Sequence, residues 1–266
     1  MDNRQFIEDY KEAFSEKAAL PIAFWHSDTP VSVPEPVNGC FFPAFEKVRE
    51  GQPVSFDSTT MKCGGGKFYC GLAPMPEYVP TFVSEKEHYK ASPALVKDFV
   101  ERLEIDVDKH KYLNFQRLDL MDDSIEFYGV LIFATPDILS GLVSWAYYDN
   151  RRSSERRGKD SLGLSRVASE EGEANSSADA VYAPWGSGCS TTIRQVIIEE
   201  ECLGSRCFIG LFDPSVRPRV RANELMFGIP KSRLEEMATF MRDTCLFNGA
   251  AWPKVKERIK DGSTKY

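Results

Sequence analysis

The chain has 266 residues, 42% of them hydrophobic and 27% charged, and a net charge of −7. That length and apolar share suffice for a packed core, and the negative balance argues against a broad nucleic-acid or anionic-membrane surface, which needs clustered Lys and Arg. The longest apolar run, residues 129–134, is too short to span a bilayer, and the first ten residues read as an amphipathic helix rather than a signal region, so the expected location is the cytoplasm.

In chain order, residues 20–25 predict a strand, followed by a turn rich in proline (Pro30, Pro34, Pro36). Gly39-Cys40 then opens a pattern of helical period (Phe41, Phe42, Ala44, Phe45, Val48) that stops at Gly51. Strands are expected at 53–57 and, after the glycine run Cys63-Gly64-Gly65-Gly66, at 67–72; a helix is expected at 92–103, with Pro93 in its first turn. Residues 127–133 predict a strand and 137–148 a helix. Residues 151–179 are rich in Ser, Arg and Glu and read as a solvated polar insert. Gly188-Cys189 opens a second helical pattern (Ile193, Val196, Ile197, Cys202) ending near Gly204. Strands at 207–213 and 224–230 and an amphipathic helix at 231–246 close the chain.

The second half repeats the order of the first. Gly39-Cys40 aligns with Gly188-Cys189, Gly51 with Gly204, residues 54–56 with 209–211, and Gly71 with Gly228. The expected architecture is therefore a mixed α/β (α+β) fold forming one compact domain over 1–266. Two related strand–helix–strand–strand–helix units, about 20–110 and 125–246, arise from an internal duplication and pack around a pseudo-twofold.

Seven cysteines without a secretion signal point to reduced thiols rather than a disulfide framework. Three histidines (His26, His88, His110) stand in no ligand-like spacing, which argues against a histidine-based metal centre. At Gly39-Cys40, Cys63-Gly64-Gly65-Gly66, Gly186-Ser187-Gly188-Cys189 and the 224–230 block, the sequence resembles the uncharacterised prokaryotic family called domain of unknown function family 169, from about residue 21 to 246. The resemblance singles out Cys40, Cys63 and Cys189 and implies no activity or fold. The insert and Cys70, Cys202, Cys207 and Cys245 depart from the family pattern.

Three chemistries fit these residues. Cys40, Cys63 and Cys189 can converge on an iron–sulfur cluster or another thiophilic metal, since soft thiolates suit such ions and helix starts stabilise thiolates. Ser187, Ser190, Thr191 and Arg219 can cradle a small anionic ligand at a helix start, without catalysis. A cysteine-dependent redox enzyme is the third reading; it needs a base or resolving thiol that no spacing supplies. Against all three, cysteine is among the most buried residue types, and Gly-Cys suits tight packing. No substrate follows from the sequence.

Overall fold

The structure is a computed structural model that describes residues 1–101, 103, 105–107, 109–149, 180–182 and 190–262. The polar insert 151–179, Ser187 and Cys189 lie outside the described residues. One seven-stranded sheet organises the molecule: β1 (Ile22–Ser27), β2 (Val54–Phe56), β3 (Tyr112–Arg117), β4 (Gly129–Ala134), β5 (Ala180–Tyr182), β6 (Cys207–Gly210) and β7 (Leu225–Pro230). Their spatial order is β2-β3-β1-β4-β7-β6-β5. Every neighbouring pair is antiparallel except β5–β6, which is parallel and bridged by a helix, as a parallel pair requires.

Both faces of the sheet are covered, and the strands alternate accordingly. Ala23, Val130, Ile132, Phe227 and Ile229 enter one apolar cluster. It is shared with α1 (Asn3–Phe14), α6 (Pro136–Ala146), α8 (Lys231–Phe240), α9 (Cys245–Asn248) and α10 (Trp252–Asp261). Ile22, Phe24, Leu113, Phe115, Leu131, Phe133 and Phe208 point the other way, towards α2 (Phe45–Arg49) and α7 (Thr191–Glu201). A third cluster lies outside the sheet. It joins α3 (Gly64–Tyr69), α4 (Val79–Thr81), a π turn at Phe82–Lys86 and α5 (Pro93–Glu101) to Ile198 of α7.

Glycine lets α7 lie flat on the sheet. On the α7 side of β4, β6 and β7, positions 129, 210 and 228 carry no side chain. A Cβ at Gly228 would sit 2.7 Å from Val196 Cγ2 and 3.2 Å from Thr192 Cγ2, and one at Gly129 would sit 2.6 Å from Val196 Cγ1. A Cβ at Gly210 would collide with the Thr192 hydroxyl. All of Thr191–Glu199 is buried as a result.

The structure departs from the sequence expectations in four places. Residues 67–72 form no strand: α3 occupies Gly64–Tyr69, because the Cys63 side chain caps the amide of Gly66 and starts a helix there. Gly71, past the end of that helix with φ +70°, is consequently no counterpart of Gly228 inside β7. The helix expected at 231–246 breaks after Phe240, and Thr244 caps a new short helix. Cys40 does not open its helix; a 3-10 turn begins at Phe42, with Phe41 as its cap. β3, the edge strand β5 and the closing α10 had no sequence expectation. Among the described residues no helix is long and apolar enough to cross a membrane.

Candidate functional site

Two of the sequence-singled residues, Ser190 and Thr191, stand at the head of α7. Ser190 is its N-cap, 1% exposed, with helical backbone angles and no side-chain capping bond. Its Oγ has no hydrogen-bond partner among the described residues, an uncommon condition for a buried hydroxyl. Thr191 and Thr192 follow, equally buried.

Cys63 and Cys40 are half-buried thiols, and Cys63 Sγ accepts a hydrogen bond from the Gly66 amide at 3.3 Å. Burial pushes the Cys63 thiol above its ordinary range; the Gly66 amide opposes this, the nearby Cys40 adds to it, the Gly65 amide opposes it, and Asp213 adds to it. Cys40, Cys63 and Asp213 therefore share one electrostatic neighbourhood. Asp213 is itself buried, 2% exposed, and accepts from the Ser215 amide at 2.8 Å. It is carried on the turn after β6, where Leu211 adopts φ +69°, a left-handed conformation unusual for a branched side chain. No group of three His, Cys, Asp or Glu among the described residues is arranged to hold a metal ion.

The remaining sequence-singled residues are placed as follows. Arg219 stands exposed on a 3-10 turn (Arg217–Arg219). Its neighbours are structural: Arg217 donates to the carbonyls of Glu224 (2.7 Å) and Ala222 (2.6 Å), and Arg221 pairs with Glu46 at 2.6 Å. Cys207 is a core residue 3.9 Å from Met237 Sδ, Cys70 is fully buried, and Cys245 is exposed.

A second polar cluster escaped the sequence reading. His26 on β1 and His110, 84 positions later, stack with ring centroids 6.2 Å apart. His26 Nε2 lies 2.8 Å from the Cys70 carbonyl, which can only accept, so Nε2 carries the proton of the neutral ring. Nδ1 then accepts from the Tyr128 hydroxyl at 3.3 Å. A small cavity of about 20 Å³ lies beside these groups, lined also by Arg194 and Glu201 of α7 and by Asp106 and Lys109. Burial holds the His26 pKa down to about 4; the bond to the Cys70 carbonyl opposes this, and His110, Arg194 and Lys109 add to it. Residues so far apart leave no motif, so no spacing rule could have joined them.

The DUF169 family model, described as uncharacterised ArCR, matches residues 13–158. The chain belongs to this family. No curated protein and no solved structure matches it.

Proposed function

We propose that Cys40 and Cys63 hold a thiophilic metal, as a single ion or an iron–sulfur cluster, with Cys189 as a third thiolate. The observation that carries this reading is the shared neighbourhood of two thiols and the buried carboxylate of Asp213. Cys40 and Asp213 both add to the raised proton affinity of the Cys63 thiol, and a bound cation would relieve that cost. Cys189 directly precedes Ser190, the N-cap of α7, in the chain. The upward push on Cys63 disfavours the alternative of a thiolate nucleophile, which needs a depressed pKa. The unpartnered Ser190 Oγ favours a second reading, a small anion seated at the start of α7.

The full chain purified without oxygen is expected to carry iron or zinc near one equivalent per site. Cys63→Ser should lose more than about tenfold in metal affinity, in line with the role of thiolates as ligands. Wild-type protein that is metal-free, takes up neither iron nor zinc on reconstitution, and alkylates fully at Cys63 would remove the metal reading.

We also infer that the two halves arose by duplication. In sheet order the first three strands run 1-3-2 outward from the centre, and β4, β6 and β7 run 4-7-6 outward in the opposite direction. Each first-to-second connection carries a helix, α2 or α7, in the same apolar cluster. In this scheme β3, not the 67–72 segment, is the counterpart of β7.

A further inference from the structure

The layer formed by α3, the turns after it and α5 has its own apolar cluster and touches the body of the protein chiefly along α7, through Ile198. Such a separately packed unit is the kind of element that opens before the rest of a fold unfolds. One of its polar joints to the sheet is the bond from His26 Nε2 of β1 to the carbonyl of Cys70, the C-cap of α3.

The groups facing that joint are almost all ionisable. From α7 come Arg194, 5% exposed, and Glu201; from the segment leading into β3 come Asp106, Lys109 and His110; Tyr128 precedes β4; and the Cys70 thiol comes from α3 itself. His110 Nδ1 is buried without a hydrogen bond among the described residues, 3.7 Å from the Asp28 carboxylate. The cavity between them, at about 20 Å³, has room for one water. A proton arriving on His26 would place a cation beside Arg194, Lys109 and His110, and among the described residues the carboxylates facing this group are Asp106 and Glu201, with Asp28 against His110. It would also remove the lone pair on Nδ1 that accepts from Tyr128, so that both ring nitrogens become donors.

We propose that His26 is an acid-released latch: neutral, it fastens the α3–α5 layer to the sheet, and protonated, it lets that layer lift from α7. The device does not depend on the metal reading, although Cys63 rides on the moving layer as the cap of α3.

The sign follows from the burial of the ring. In the closed form His26 titrates at about 4; freed into water it titrates near 6.5. Closure is therefore fully favoured above pH 6.5 and is lost as pH falls towards 4, because the open form binds the proton first.

Hydrogen exchange of the full chain at pH 7 and pH 5, corrected for the intrinsic rate, tests this. Amides of residues 64–101 are expected to lose protection about tenfold for each pH unit below 6.5, while β4 and β7 stay protected. His26→Gln keeps a donor for the Cys70 carbonyl and cannot titrate, so its protection should not change with pH in that range. Equal acid opening in His26→Gln, or none in the wild type, would overturn the proposal. If that variant does not fold, the imidazole resonance of His26 in the wild type decides. A titration midpoint that tracks the opening supports the latch, and a ring that titrates near 6.5 without opening sinks it.

Discussion

Gly228→Ala is expected to lower the stability of the whole protein by about 1–3 kcal/mol, the usual cost of forcing carbon into a packed core, and Gly228→Val to prevent folding. The added Cβ meets Val196 Cγ2 at 2.7 Å and Thr192 Cγ2 at 3.2 Å. Neither neighbour can retreat, since α7 is buried along its length and both residues lie against the sheet. Rotation of Val196 offers no relief, because its other methyl group already lies over Gly129. Urea unfolding followed by circular dichroism measures the effect. Pairing Gly228→Ala with Val196→Ala should recover at least about 1 kcal/mol of the expected sum, since the two residues touch. An unchanged urea midpoint for Gly228→Ala alone would mean that α7 does not seat as described.

Glu224→Ala should cost about 3–5 kcal/mol, the range for orphaning one partner of a buried ion pair. Arg49 of α2 donates twice to this carboxylate, at 2.7 and 2.8 Å, with side-chain exposures of 13% and 8%. The Arg49 guanidinium also lies over the ring of Phe133, 5.4 Å from its centroid. Without Glu224 the cation is left against apolar surface with only Glu46, 3.4 Å away and more exposed, to answer it. The double variant Arg49→Met, Glu224→Met removes both charges and should be markedly more stable than Glu224→Ala. The same unfolding assay ranks the three proteins; a double variant no better than Glu224→Ala would show that the pair is not the source of the loss.

Most strands could be read in the sequence because they are buried on both faces and written as apolar runs, as in Gly129–Ala134. β3 was not, since Tyr112–Arg117 mixes Asn114, Gln116 and Arg117 with its apolar residues. Asn114 is nonetheless fully buried, satisfied by Ser55 at 2.7 Å and Ser27 at 2.9 Å. Those partners lie on two other strands and cannot be foreseen from local pattern. The strand expected at 67–72 failed for a related reason: Phe68, Tyr69 and Cys70 are buried by helical packing in the third cluster and against the sheet, and a short apolar run carries no period to tell the two apart. Of the site, Cys40 and Ser190 were legible as residue types near expected helix starts, and Cys63 as the head of a glycine-rich loop. Asp213 and the His26 cluster were not, because their meaning comes from burial and from neighbours on other elements.

The order of the strands also bears on how the chain assembles. β1, β2, β3 and the first edge of β4 can pair while the remaining residues are still unplaced, but the other edge of β4 waits for β7, roughly a hundred positions further on. Until then β4, whose six residues are all buried in the finished molecule, presents an apolar strand with an open backbone. The family match stops at residue 158, between those two events. The matched residues thus include β1 to β4 and leave out β7, the strand that covers the second edge of β4.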